Sequence, residues 1–186
     1  GRIFQSGSQS QVFANDLKTG KLLWTFAPLA DRPPNSFLET WLRSLNRGRA
    51  LYEDLVIVGT SDCRLVAIDQ DTGVEQWQVE TCDSEQAYMI SGAPRVGGGK
   101  VFIGNSCADM GLNRGHVDAV DAKTGEHLWR FYTVPGDPNE PQDSELYEMA
   151  LKTWGEGWYE STRGCGSVWD AMVYDAELDQ LIIGTG

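Results

Sequence analysis

Histidine is nearly absent: His116 and His127 are the two found in 186 residues. Both sit in strand-like repeats, where their counterparts near Leu65 and Gln76 carry no comparable chemistry. A serine-type triad or a histidine metal cluster is therefore unsupported, and two half-exposed strand histidines are expected. Basic residues are outnumbered, with 15 Lys plus Arg against 27 Asp plus Glu and a formal net charge of −12. Such a surface, with no basic stripe, repels phosphate backbones and excludes nucleic acid as a partner. No stretch approaches the roughly 18 consecutive apolar residues of a membrane helix, and no charged-then-apolar leader occurs. Neither a membrane span nor a signal peptide is expected within these residues. The cysteines Cys63, Cys82, Cys107 and Cys165 lack the C-x-x-C spacing of a structural zinc site, and disulfides and buried thiols both stand as readings.

What is present is repetition. The run Ala14-Asn15-Asp16-Leu17-Lys18-Thr19-Gly20 leads to Trp24, Ala67-Ile68-Asp69-Gln70-Asp71-Thr72-Gly73 leads to Trp77, and Ala119-Val120-Asp121-Ala122-Lys123-Thr124-Gly125 leads to Trp129. The glycines lie 53 and 52 residues apart, so one structural unit is repeated. Each run reads as a hairpin, because alternating apolar residues enter Asp-x-x-Thr-Gly and resume beyond it. The Asp can bond its own turn and the Gly supplies a positive φ.

Further strand pairs precede two of these hairpins, Arg49–Tyr52 with Leu55–Gly59 and Ala93–Val96 with Lys100–Gly104. Four antiparallel strands per unit, with Trp in the last, predict a β-propeller. The fold class is all-β, about three blades of a longer propeller, which closes with about 4 to 8 blades. The predicted organisation places the end of one blade at 1–28, a second blade at 45–80 and a third at 90–133. A connecting loop follows at 134–166 and the start of a fourth blade at 167–186. The three tryptophans are expected to pack between blades. Gly97-Gly98-Gly99 joins two strands and opens no helix, so it reads as a turn and not as a phosphate loop.

Candidate chemistry lies where the blades differ: Leu45–Gly48, Ser106–Gly115, Lys152–Trp158 and Gly164–Trp169. Non-repeated polar and aromatic residues at the starts of blades face the central channel, where propellers build their sites.

At these segments, and along essentially the whole chain, the sequence resembles the pyrroloquinoline-quinone-dependent alcohol dehydrogenases, a quinoprotein family built on an eight-bladed propeller. The resemblance extends to Ile90-Ser91-Gly92-Ala93-Pro94-Arg95-Val96, to Trp129-Arg130-Phe131-Tyr132-Thr133-Val134-Pro135-Gly136-Asp137-Pro138 and to Tyr174-Asp175-Ala176-Glu177-Leu178-Asp179. It implies that Arg47 pairs with the oxygens of the quinone, that Ser91, Ser106 and Ser167 supply hydroxyls to its carboxylates, and that Trp169 stacks on its ring. Asp109 stands where the family has a glutamate that ligates the cofactor's calcium or lanthanide ion.

The chain also departs from the family pattern. Trp41-Leu42 replaces an adjacent cysteine pair, and Trp41 either covers the ring or packs in the core. Cys107 and Cys165 replace small residues beside the expected cofactor. The metal-binding asparagine that follows Ile183-Gly184-Thr185-Gly186 in the family, and the catalytic aspartate further on, are not among these residues. No catalytic residue is assigned, and the chain alone is expected to be inactive. The implied reaction is hydride transfer from a small alcohol to the metal-bound quinone, in the periplasm, with a cytochrome as candidate electron acceptor. Two other readings share the repeats: a non-catalytic propeller scaffold, and a short propeller whose copies complete a ring through open strand edges.

Overall fold

The computed structural model describes residues 1–31, 34, 36–86, 88–106 and 113–186, with the backbone alone for 37–39. Strands β1 (Arg2–Ser6), β2 (Val12–Asp16) and β3 (Leu22–Phe26) form a three-stranded antiparallel sheet. After a short helix, α1 (Phe37–Arg43), come two four-stranded sheets in sequence order. The first holds β4 (Arg49–Tyr52), β5 (Leu55–Gly59), β6 (Arg64–Asp69) and β7 (Glu75–Glu80). The second holds β8 (Arg95–Gly97), β9 (Lys100–Gly104), β10 (His116–Asp121) and β11 (His127–Tyr132). Helices α2 (Glu145–Leu151) and α3 (Trp158–Thr162) occupy the segment read from sequence as a connecting loop. The hairpin β12 (Met172–Asp175) and β13 (Gln180–Ile183) follows. Sequential antiparallel meanders of this kind are blades, and the fold is a partial β-propeller.

The blades bury their faces against one another. Val12 of the first sheet packs with Val56, Val58, Val66 and Ile68 of the second. The opposite face of that second sheet, Leu55, Ile57, Leu65 and Ala67, packs with Ile90, Val101, Ile103 and Val120. Phe102, Val117 and Ala119 of the third sheet meet Val168 and Met172. Because side chains alternate across a strand, β5 and β6 are apolar at nearly every position: both faces are covered.

One contact repeats from blade to blade. Asp16, Asp69 and Asp121 each accept the backbone N–H of the Thr three residues on, at 2.7, 2.7 and 2.8 Å, together with its hydroxyl. Each turn ends on glycine with positive φ, and on Gly73 and Gly125 an indole of the preceding blade rests. A Cβ on Gly73 would lie 2.7 Å from Trp24, and one on Gly125 would lie 2.7 Å from Trp77. Trp24 Nε1 also donates to the carbonyl of Gln70 at 3.1 Å. A register shift on the strand before each tryptophan, between Ala14 and Asn15, Ala67 and Ile68, and Ala119 and Val120, sets a bulge that aims the indole. Each Trp then lies opposite a fully buried alanine.

A polar lock joins the second and third blades. His116 is buried, not half-exposed as its strand position suggested. Its Nε2 lies 2.9 Å from the Thr81 carbonyl, which also accepts Arg130 Nη2 at 2.7 Å. Asp118, buried between them, takes Arg130 Nε at 2.9 Å, His127 Nε2 at 2.5 Å and His116 Nε2 at 3.2 Å. Burial by itself would raise the Asp118 carboxyl, but its His116, Arg130 and His127 contacts outweigh that and hold it below the usual carboxylate range. A disulfide between Cys63 and Cys82, Cα atoms 4.9 Å apart, ties the β5–β6 turn to the same corner, where Thr81 N–H donates to the Cys63 carbonyl.

Two outcomes follow for denaturant melts. Gly20→Ala, in open space at φ +70, is expected to cost about 1–2 kcal/mol for its left-handed backbone. Gly125→Ala adds the collision with Trp77 and should cost at least about 1 kcal/mol more; equal losses would remove the indole contact as a determinant. Asp118→Asn should cost about 3–5 kcal/mol by removing the buried carboxylate that pairs with Arg130 and accepts from both histidines. Since the folded carboxyl titrates below its unfolded value, its contribution is present above about pH 4 and lost as pH falls through the folded value. Acid melts of wild type and variant should converge there.

Candidate functional site

Arg47 before the second blade, Ser91 before the third, Ser106 in the connection from β9 to β10 and Trp169 before the last hairpin come together. Asn46 accepts Gly48 N–H at 3.1 Å and donates Nδ2 to the Gly59 carbonyl at 3.1 Å, which fixes the loop carrying Arg47. Arg47 N–H then donates to the Ser91 carbonyl at 3.0 Å, so the two blade starts are stitched through the backbone. The guanidinium reaches the same residue: Arg47 Nη1 donates to Ser91 Oγ at 2.7 Å. Ser91 Oγ lies 2.6 Å from Ser106 Oγ, and Ser106 is held by a backbone bond to Met89 at 2.7 Å. The result is a chain of one cation and two buried hydroxyls, Arg47 to Ser91 to Ser106.

Trp169 closes the other side. The Arg47 guanidinium carbon stands 4.6 Å from the centroid of its ring, a cation–π contact, and the indole stays 40% exposed. Gly92 allows this approach, since a Cβ there would lie 2.7 Å from the Trp169 carbonyl. Ser167 is almost fully buried, and its hydroxyl has no hydrogen-bond partner among the described residues. Its carbonyl accepts Gly186 N–H at 3.1 Å.

Of the residues selected from sequence, Arg47, Ser91, Ser106 and Trp169 are therefore joined in one contact network, with Ser167 two residues from the indole. Asp109 and Cys107 lie outside the described residues. Trp41 is 51% exposed on α1. Trp154 and Trp158 form a cleft of their own between α2 and α3, away from this network. Sequence reasoning passed over two polar groups. Asn46 shapes the Arg47 loop, and its place beside Arg47 before a positive-φ glycine was the available signal. Asn105, just before Ser106, is buried with no partner for its Nδ2 among the described residues, while its Oδ1 accepts His116 N–H at 2.7 Å; an Asn beside a strand end carries no such signal.

A guanidinium, buried hydroxyls and an open indole face suit a flat, polyanionic aromatic ligand. Arg offers a planar fork for carboxylates, the hydroxyls add donors, and the indole takes a ring face. Among the described residues no group of His, Cys, Asp or Glu is placed to hold a metal ion.

The fold and this network together define a sector of a propeller with a polar, aromatic-walled candidate site. Comparison with known proteins names the class. Residues 1–186 match the PQQ family described as glucose/ethanol/alcohol dehydrogenase, β-propeller domain, and the chain belongs to that family. It is 48% identical over 186 residues to lupanine 17-hydroxylase [cytochrome c] of Pseudomonas sp, covering all of this chain and 27% of that protein. It is 45% identical to quinohemoprotein alcohol dehydrogenase ADH-IIG of Pseudomonas putida, covering 100% of this chain and 26% of the relative. The solved structure of that enzyme from strain HK5 superposes with TM-score 0.87 at 43% identity, over 100% of this chain and 27% of the other. A europium-containing methanol dehydrogenase superposes with TM-score 0.77 at 25% identity, over 99% and 33%. The chain thus spans about a quarter of the length of the relatives it matches.

Ser91→Val tests the network without touching the fold's apolar core. Stranding Arg47 Nη1 and Ser106 Oγ should lower stability by about 1–3 kcal/mol in urea melts. A variant as stable as wild type would show that the three groups do not act together.

Proposed function

We propose that this chain forms one wall of the pyrroloquinoline quinone site of a dehydrogenase that oxidises a small alcohol. The observation that carries the reading is the network Arg47–Ser91–Ser106 against the exposed indole of Trp169, with the unpartnered Ser167 hydroxyl beside it. When bound, the quinone supplies the hydride acceptor. The chain's own residues orient it. Arg47 neutralises and aligns its oxygens, Ser91, Ser106 and Ser167 donate to its carboxylates, and Trp169 fixes the plane of the ring. Asp109 is proposed as a ligand of the accompanying calcium or lanthanide ion, for which a carboxylate is a suitable hard donor. No residue of the chain is assigned as the base, so the 186-residue chain by itself should turn over no alcohol in a dye-linked assay.

The Cys63–Cys82 disulfide supports a periplasmic setting, because such bonds persist in oxidising compartments. No helix among the described residues is long and apolar enough to cross a membrane. A cytochrome is the proposed electron acceptor.

A second reading, self-association, draws on Trp129. It stays 38% exposed in an apolar trough with Val117, Leu181 and Ile183, whereas Trp24 and Trp77 are capped by glycine turns. The repeating contact calls for another turn over Trp129, from further strands of the same protein or from a second copy. Light scattering separates the two: a monomer in the full-length protein leaves only the first.

Equilibrium dialysis of the full-length protein with pyrroloquinoline quinone and calcium tests the site. Arg47→Leu and Trp169→Ala should each weaken binding at least about tenfold, the scale of one charged hydrogen bond or one stacked ring. Asp109→Ala should reduce the calcium dependence of that binding. Affinity indifferent to Arg47 and Trp169 would overturn the assignment.

A further inference from the structure

Between α2 and α3 the chain builds a cleft of about 240 Å³ that shares no residue with the quinone network, lined among others by Leu151, Trp154, Glu156, Trp158, Tyr159 and Glu160. The indoles of Trp154 and Trp158 stand 4.6 Å apart with their planes 46° from parallel, and Trp158 meets Tyr159 edge-on at 5.5 Å. Their placement is firm. Gly164, at φ +84, lets the chain pass so close that a Cβ there would lie 3.0 Å from Trp158 and 3.2 Å from Trp154. Tyr147 anchors α2 by exchanging hydrogen bonds with the Tyr132 backbone at 2.8 and 3.1 Å, and Arg114 pairs with Asp143 at 3.2 Å just before that helix.

We infer that this cleft binds an organic ammonium ion. Aromatic faces present negative potential and attract cations that shed water easily, quaternary and tertiary amines above all. Exposed Glu156 and Glu160 add charge of the same sign, on a chain already at −12. The ring faces offer no lone pairs to a strongly hydrated metal ion, and an anion would be repelled. One ring at the edge of this set already faces a guanidinium: Arg163 stands 4.9 Å over Tyr159. The volume suits a ligand of choline size or the charged end of a larger amine.

The inference is independent of the quinone reading, and its test needs no cofactor. Tetramethylammonium chloride, choline chloride and 3,3-dimethyl-1-butanol, the uncharged carbon analogue of choline, are titrated calorimetrically into the full-length protein at fixed sodium chloride. The two cations should bind saturably and the neutral alcohol at least about tenfold more weakly, the scale of a desolvated cation–π contact. Trp154→Leu and Trp158→Leu should each weaken the cations at least about fivefold. The double variant Glu156→Gln with Glu160→Gln, which changes only exposed side chains, should weaken them at least about threefold. Equal binding of the neutral alcohol, full affinity in the folded leucine variants or in the glutamine variant, or no saturable heat below about 50 mM would overturn it. Should a leucine variant fail to fold, the comparison with the neutral analogue and the glutamine variant still decides.

Discussion

A sheet with two apolar faces cannot stand alone in water, and here each sheet is covered by its neighbours. The second blade shows this most fully: Val56, Val58, Val66 and Ile68 go to one neighbour while Leu55, Ile57, Leu65 and Ala67 go to the other. Burial alone is non-directional and would allow blades to slide. The indole on the glycine turn supplies direction. Trp24 and Trp77 occupy space that exists only because Gly73 and Gly125 have no side chain, and the bulge before each tryptophan points the ring at that space.

Locking the blades at their outer hairpins leaves the inner ends free to differ. Asn46, Arg47, Ser91 and Trp169 lie in the connections where blades begin and Ser106 in the connection from β9 to β10, and their positions relative to one another are inherited from the packing of the strands behind them. Hence the hydrogen bonds at the site cross blades: Arg47 to Ser91 spans 44 residues of chain at 2.7 Å. His116 and Arg130 of the third blade reach the Thr81 carbonyl at the end of the second, and the Cys63–Cys82 disulfide holds that end to the β5–β6 turn of its own blade.

The acidic character of the chain also divides by location. Asp16, Asp69 and Asp121 are consumed by their own turns. Hydrogen bonds from Thr19 and Thr72 side chains, and from the Thr124 backbone, hold these carboxyls below their usual range. Asp118 is neutralised by its neighbours. Glu156 and Glu160 remain open to solvent beside an aromatic cleft, and it is there that the excess of negative charge can act on a ligand.

The sequence by itself determined the blades, since Asp-x-x-Thr-Gly with a following Trp encodes a turn through local hydrogen bonds and a backbone conformation, and its spacing encodes the repeat. Breaks in the repeat marked the segments that hold Arg47, Ser106, Ser167 and Trp169, while Ser91 and the role of each residue came from the resemblance to the quinoprotein family. The tertiary structure alone decided which of these touch, that His116 is buried and Trp41 is not, and that Trp154 and Trp158 share a cleft. The physical reason is range. Turns and alternation are settled within a few residues, whereas burial and long-range contact depend on which blade face arrives opposite, and no local pattern records that.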